Sequence, residues 1–348
     1  MPIELPALPL RDLPFDEIID VRAPSEFAED HIPGAINLPV LSDAERARVG
    51  TIYVQEDRFL ARKIGAALVA RNAAAHLEGP LADRGGGWRP LVYCWRGGQR
   101  SGSFTTILKQ VGWRADTIDG GYRAYRRAVV ETLYDTPLDR RIVLIDGGTG
   151  TGKTALLDQI ARAGGQVVDL EGLAHHRGSN FGGWPEPQPG QKMFESRLLP
   201  LLADADPTQP VFVEAESNAI GQLRLPPALW AGMGRAEVIR LEAPLEARAR
   251  FLTTTYPDLM DDAARLTARI DSLRPYQPRD RIEAWHGLAR GGRHADLAAE
   301  LIAHHYDPKY NRIPREGRTA IGRITLKDLS KADLARAATE ALVLTGAT

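Results

Sequence analysis

The sequence predicts an α/β protein of two domains, the second with a helical appendage, and three observations lead there. Short apolar runs that end in charged residues recur along the chain, in the manner of strands buried in a parallel sheet. One of them, Arg141–Asp146, runs straight into a complete phosphate-loop pattern, G-x-x-x-x-G-K-T. The length, 348 residues, exceeds what one core comfortably supports. The expected division is residues 1–137 and 138–348, with the boundary at Thr136–Pro137.

The first domain opens with Glu17–Arg22, a short strand ending in charge, and Pro24-Ser25-Glu26-Phe27 follows as a helix start. Asp20 and Arg22 are expected to pair and buttress a neighbouring loop. His31, ahead of Pro33-Gly34, reads as a turn residue bonded to local backbone rather than as a general base. Gly85-Gly86-Gly87 reads as a surface loop. Pro90–Tyr93 is a second buried strand, and Ser101 is placed to cap a helix reaching about Gln110.

Between that strand and helix lies Cys94, the one cysteine of the chain, in the loop Trp95-Arg96-Gly97-Gly98-Gln99-Arg100. Two glycines let the backbone curl with its N–H groups inward, and Arg96 and Arg100 add positive charge, which makes an anion-binding address. A helix N-terminus and nearby arginines lower a cysteine pKa from about 8.5 and favour the reactive thiolate. Cys94 is therefore the candidate nucleophile, with Arg96 and Arg100 as its catalytic neighbours. With no second cysteine there is no internal disulfide, cysteine-rich zinc site or resolving thiol. Whatever Cys94 carries must be discharged by an external acceptor or reductant.

The segment DVRAPSEFAEDHIPGAINLPV, taken with the Cys94 loop, resembles the rhodanese family. The first looks like its N-terminal signature, and a cysteine with an arginine, Arg100, at the far end of the loop looks like its active site. Ile118–Tyr122 resembles the strand and Gly-Gly turn that close such domains. The resemblance implies an N-terminal rhodanese-like domain with a parallel sheet, and a cysteine that carries a chalcogen atom as a persulfide-like intermediate.

In the second domain, Gly147 to Thr154 lies between an apolar strand and a helix containing Ala155-Leu156-Leu157, the context a phosphate loop needs. Gly147, Gly150 and Gly152 free backbone N–H groups to wrap phosphate oxygens, Lys153 supplies a point charge, and Thr154 can reach a Mg2+ ion. This is a C-terminal P-loop NTPase-like domain. Pro210–Ser217 is a Walker-B-like strand that ends in glutamates, so Glu214 or Glu216 could hold a metal through water. No nucleobase-specific motif accompanies it; phosphate or diphosphate binding is expected, and NTP hydrolysis stays open. The polar, glycine-rich tract Val167–Gly183 follows a strand beside the phosphate loop, where doubly wound sheets place their ligand crevice. Asp169, Glu171, His176 and Arg177 are its candidates for substrate contact or proton transfer. His175 and His176 are adjacent and point apart, so no zinc site is expected. Leu245–Leu301 has alanine, leucine and arginine at helical spacing and forms the appendage.

With LSDAERARVGTIYVQ in the first domain, and DLEGLAHHRGSNFG and VEAESNAIG in the second, nearly the whole chain resembles the bacterial tRNA 2-selenouridine synthase family. The resemblance implies a cytoplasmic transferase acting on the wobble 2-thiouridine of tRNA. Sulfur is geranylated from geranyl diphosphate and then replaced by selenium from selenophosphate, with Cys94 carrying the selenium. The implied partners are tRNA and a selenophosphate supplier, and Mg2+ is the ion Thr154 could take. Trp184, Phe194, Trp230 and Trp285 are candidates to line an apolar pocket for the geranyl chain. Candidate RNA contacts are Lys309, Tyr310, Arg312, Arg315 and Arg318, continuing to Arg323, with Tyr306 and Tyr310 available to stack on bases. Arg123, Arg126 and Arg127 form a second basic cluster.

Composition neither adds to this nor opposes it: a net charge of −1, with 26% charged and 43% hydrophobic residues, does not announce a nucleic-acid binder. The N-terminus lacks a basic stretch followed by an apolar one, and no apolar run reaches the roughly 18 residues of a membrane span, so no membrane partner is expected. Two other readings stand: a rhodanese-type sulfurtransferase fused to a small-molecule kinase, and a non-catalytic sensor that would tolerate loss of the thiol.

Overall fold

The structure, a computed structural model, describes residues 13–310 and 318–347. The chain forms two compact units, one containing residues up to Thr136 together with Gly190–Ala203, the other Pro137–Pro189 together with Asp204 onward.

The first unit begins with β1 (Glu17–Asp20), α1 (Pro24–Glu29), β2 (Ile36–Asn37), α2 (Asp43–Gln55) and α3 (Arg58–Glu78). It continues with β3 (Pro90–Tyr93), α4 (Gln99–Val111), β4 (Asp116–Thr117) and α5 (Gly121–Val130), which runs into a π-helical turn over Glu131–Asp135. The strands order as β2-β1-β3-β4, all parallel. β3 is buried at every position, which is why its sequence is continuously apolar instead of alternating. Its Val92 shares a core with Ile19, Val40, Phe104 and Leu108. The register Asp20↔Tyr93 sets the ends of β1 and β3 side by side, with Cys94 next along.

The second unit begins with β5 (Ile142–Asp146), α6 (Lys153–Arg162), β6 (Gln166–Val168) and α7 (Leu170–Ala174). The chain then leaves for α8 (Gln191–Ala203), which packs in the first unit, and returns with β7 (Val211–Glu214). A small hairpin of β8 (Ala219–Ile220) and β9 (Leu223–Arg224), α9 (Pro227–Gly234) and β10 (Glu237–Glu242) follow. The appendage comprises α10 (Leu245–Thr255), α11 (Pro257–Met260), α12 (Ala263–Asp271), α13 (Arg279–Arg290) and α14 (His294–Leu301). A π-helical turn over Ile302–Tyr306, α15 (Asp307–Tyr310), β11 (Thr319–Thr325) and α16 (Lys331–Thr345) complete the described chain.

The second sheet orders as β11-β10-β5-β7-β6, all parallel, so β5 lies at its centre with neighbours on both sides. The phosphate loop therefore leaves the central strand, the position at which open α/β sheets hold ligands. α6 and α16 pack together through Leu156, Leu157, Ile160, Ala337, Ala338 and Ala341. The appendage has its own core around Leu259, Leu266, Ile270 and the fully buried Trp285.

The continuous second domain expected from sequence is thus interrupted by Gly190–Ala203. Helix α8 is held in the first unit by a buried carboxylate and by its apolar face. Glu195 of α8 is 1% exposed and accepts from the Arg126 guanidinium and, at 2.5 Å, from the Tyr134 hydroxyl. Phe194, Leu198, Leu199 and Leu202 are buried on the same helix.

Candidate functional site

Cys94 directly follows β3 and is 4% exposed. The start of α5 closes over its loop: Tyr122 N–H donates to the Cys94 carbonyl at 2.9 Å and Arg123 N–H to the Trp95 carbonyl at 3.1 Å. That approach demands glycine. Gly97 and Gly121 have φ of +66° and +55°; a Cβ on Gly97 would come within 2.7 Å of the Ile118 carbonyl, and one on Gly121 would collide with the Cys94 carbonyl.

Ser101 does not cap α4. The N-cap is Gly98, and Ser101 lies buried in the first turn with its Oγ 3.2 Å from Cys94 Sγ. Arg96 is exposed on the loop. Arg100 is engaged elsewhere, donating to Glu26 at 2.8 and 3.4 Å. Burial works against the Glu26 carboxylate, yet the hydrogen bond and charge of Arg100 help hold it below the usual range. Arg100 ties the loop to α1 through this pair. Asp20 and Arg22 pair at 2.6 Å, both fully buried, and Arg22 also donates to the Asp30 carbonyl at 2.6 Å and lies 3.9 Å from the Tyr122 ring centre. This is the buttress the sequence predicts. His31 hydrogen-bonds the Phe27 carbonyl through Nδ1 at 2.9 Å and stacks on the Phe27 ring, as a turn residue should.

In the second unit, Gly150 and Gly152 take φ of +81° and +77°, and Gly152 is the N-cap of α6. Lys153 Nζ donates to the Gly147 carbonyl at 3.1 Å, and Thr154 Oγ1 donates to Glu171 Oε2 at 3.1 Å. From α10, Arg248 donates through Nε to the Thr149 carbonyl at 2.9 Å and pairs with Asp307 at 2.9 and 2.6 Å. The sequence reading misses Arg248 and Asp307. A signal exists, since Arg248 shares a helix face with Leu245, Ala249 and Leu252, where an apolar residue would be expected.

The glycine-rich tract contains a helix, α7, that its composition hides. Asp169 caps it, accepting from Gly172 N–H at 2.8 Å. Glu171 N–H donates to Glu214 Oε1 at 2.7 Å. Glu214 is fully buried, and its Oε2 has no hydrogen-bond partner among the described residues. Burial, then the charges of Asp169 and Glu171, hold its carboxyl well above the usual range. Burial and the neighbouring Glu216 push Glu171 up to about 8, against the lowering influence of Lys153 and Thr154. Gly178, at φ +68°, lets these carboxylates converge: a Cβ there would lie 2.5 Å from Glu171 and 3.0 Å from both Glu216 oxygens. His176 accepts from Gly178 N–H at 3.1 Å; burial, then the charges of Arg269 and Arg177, keep its pKa low. Arg177 is committed to Asp258 at 2.6 Å, with the Trp184 and Tyr256 ring centres 3.7 and 4.4 Å away.

An apolar cavity of about 450 Å³, its open mouth included, lies beside the loop, with Thr149 and Ser179 in its lining next to Leu252, Tyr256, Met260 and Leu297. The four aromatics named as candidates for such a pocket do not line it. Phe194 lies in the first unit, Trp285 in the appendage core, Trp184 on Arg177, and Trp230 is 38% exposed on α9.

The expected RNA contacts fare unevenly. Arg126 is committed to Glu195, while Arg123 and Arg127 are exposed. Lys309 Nζ lies 3.2 Å from His305 Nε2 and over the Tyr276 ring, and the Tyr310 hydroxyl donates to Asp146 at 2.6 Å. Arg318 precedes β11 and is half-buried; Arg323 pairs with Glu242 at 3.1 Å. Arg312 and Arg315 lie outside the described residues. Among the described residues, no group of three or more His, Cys, Asp or Glu could hold a metal, and no helix is long and apolar enough to cross a membrane. Thr154 and Glu171 are the donors placed to approach a Mg2+ that arrives with a phosphate ligand.

The family described as the tRNA 2-selenouridine synthase AAA domain matches residues 140–278, and the rhodanese-like domain matches residues 7–128. A tRNA 2-selenouridine synthase of Nitrosomonas europaea is 39% identical over 249 residues, covering 70% of this chain and 64% of the relative. One from Shewanella halifaxensis is 39% identical over 69% of this chain and 65% of the relative, so these two matches span a little less than two thirds of the relatives' own length. One from Hahella chejuensis is 34% identical over 329 residues, covering 84% of both chains. On these matches, and on a rhodanese-like loop and a phosphate loop both found in place, the chain belongs to the tRNA 2-selenouridine synthase family.

Proposed function

We propose that this protein replaces the sulfur of wobble 2-thiouridine in tRNA by selenium, using geranyl diphosphate and selenophosphate as co-substrates. The observation that carries the reading is the apolar cavity opening at the phosphate loop, with Thr149 belonging to both. A diphosphate head with a hydrocarbon tail uses both features, the loop for the anion and the apolar walls for the tail.

In the first stage the 2-thiouridine sulfur attacks C1 of the donor. A C–S bond forms, the C–O bond breaks, and diphosphate leaves into the loop N–H groups and Lys153 while N3 gives up its proton. Lys153 is stabilised in the meantime by the Gly147 carbonyl and would exchange that partner for phosphate oxygen. A Mg2+ at Thr154 and Glu171 would add charge neutralisation to the leaving diphosphate.

In the second stage the alkylated sulfur can depart as geranylthiol, a better leaving group than sulfide. Cys94, the one thiol of the chain, carries the incoming selenium: its thiolate attacks the selenium of selenophosphate, an S–Se bond forms, and the Se–P bond breaks with its electron pair leaving on phosphorus as phosphite. Once that selenium has bonded to C2, the remaining S–Se link to Cys94 must be cut by an external reductant, since the chain holds no second thiol.

The experiment is to incubate the protein with 2-thiouridine tRNA and geranyl diphosphate, digest, and look by mass spectrometry for the S-geranyl nucleoside, then for 2-selenouridine after adding selenophosphate. Absence of both products, with ATP-dependent phosphorylation of a small molecule instead, would establish the sulfurtransferase–kinase reading.

A further inference from the structure

Among the described residues Cys94 Sγ has one hydrogen-bond partner, the Ser101 Oγ at 3.2 Å, and Ser101 is fully buried. The same hydroxyl lies 3.2 Å from the Gly98 carbonyl, to which it donates. A hydroxyl carries a single hydrogen, so it serves one acceptor at a time. With the thiol protonated the contacts form a chain, S–H to Oγ and O–H to the Gly98 carbonyl. With the thiol ionised the sulfur can only accept, and the hydroxyl must turn to it or leave a buried anion without a donor. The turn costs little, because the Gly98 carbonyl also accepts from Gly102 N–H at 3.0 Å and stays satisfied.

We propose that the Ser101 hydroxyl is a catalytic hydrogen-bond donor, turning from the Gly98 carbonyl to the Cys94 thiolate and stabilising it for attack on selenium. The inference rests on the selenium-carrier reading given above and names a further residue of that step. Once the S–Se bond has formed, the negative charge lies on the terminal selenium, and the hydroxyl returns to Gly98.

The charged and titratable groups around the loop have partners of their own. Arg100 is bonded to Glu26 of α1, Arg22 to Asp20 at the end of β1, Tyr122 of α5 to Asp30, and His76 of α3 to the Pro39 carbonyl, while Arg96 is exposed. Replacing Ser101 leaves these pairs in place, so a difference from wild type reports the hydroxyl. Losing a hydrogen bond to a charged group moves its ionisation by about one to two pH units. The thiolate left behind is scarcer near neutral pH, yet more nucleophilic where it is fully formed, because nucleophilicity rises with basicity.

The test is the rate of alkylation by iodoacetamide across pH, which reads Cys94 alone because the chain has one cysteine. In Ser101→Ala the midpoint of the profile should rise by about one to two pH units. Below both midpoints the variant should react roughly three- to fifteenfold more slowly, and above them about threefold or more faster, so the two profiles cross. A change in packing or access would move both limbs in the same direction. The same variant should slow 2-selenouridine formation at neutral pH and spare S-geranylation, and Ser101→Thr, which keeps a hydroxyl, should restore the wild-type midpoint. If urea denaturation shows that the threonine methyl is not accommodated, the alanine profile decides alone. An unmoved midpoint in Ser101→Ala overturns the proposal whatever happens to the rate, and if wild type still selenates, the selenium-carrier reading survives it. If the midpoint moves and the profiles cross while wild type forms no 2-selenouridine, the hydroxyl is the donor to the thiolate and the selenium reading alone falls.

Discussion

Cys94 and Lys153 belong to different units and should fail differently. Cys94→Ala removes the only thiol at little structural cost, because a small side chain replaces a small buried one. It should abolish 2-selenouridine formation and leave S-geranylation near wild type, whereas Lys153→Ala should depress geranylation first; nucleoside mass spectrometry on each variant distinguishes the two, and normal selenation by Cys94→Ala would remove the sulfur from the mechanism. Glu171 makes a separate prediction. Its carboxyl is held near 8 in the folded chain against a usual 4.5, so the native state keeps a proton that the unfolded chain releases. The folded state is therefore favoured at the acid side, and that advantage fades as pH rises from about 4.5 towards 8. Wild type should lose melting temperature relative to Glu171→Gln between pH 5 and pH 8, and a difference independent of pH would contradict the shift. Cys94 and Lys153 are legible in the sequence because their motifs are local. Ser101 at the sulfur, Arg248 on Asp307 and the Glu171–Glu216 convergence are not, because each depends on residues that only the fold brings together.

Among the elements, the α5 start is the most tightly specified, since Gly121 holds a left-handed conformation directly against the Cys94 carbonyl. Gly121→Ala should cost at least about 1–3 kcal/mol from backbone strain, with more from the collision, and should lower selenation by displacing the loop. Urea denaturation checks the first and a 2-selenouridine assay the second; an unchanged midpoint would show that the turn relaxes freely. The strands were readable as apolar runs, because burial in a parallel sheet leaves that imprint. Helix starts were less so. Ser101 is a better cap than glycine by side-chain chemistry, yet Gly98 opens α4, and the short helix α7 is concealed by the glycines of its tract. Aromatic content also misdirects: the cavity wall is built mainly of aliphatic residues from α10, α11 and α14, whose helical spacing announces packing and not the space left between them.

For the whole molecule, the units are not consecutive blocks, and no periodicity or composition change in Gly190–Ala203 shows that this helix packs with residues more than fifty positions earlier. A fragment ending at Thr136 lacks α8, leaving Arg126 and Tyr134 without Glu195 and uncovering the apolar residues that α8 protects. That fragment should melt well below the first transition of the full chain and bind a hydrophobic dye; calorimetry showing an unshifted transition would mean α8 is dispensable. The same arrangement has a consequence during synthesis. A ribosome making about 5–20 residues per second takes on the order of 3 to 13 s to pass from Thr136 to Ala203. For most of that interval the nascent first unit waits for its last helix while β5 and the phosphate loop have already been made, without the β7 and β10 strands that will flank them. The newborn chain thus holds two incomplete cores at once, and pauses in translation between those two positions would lengthen its exposure to chaperones and proteases.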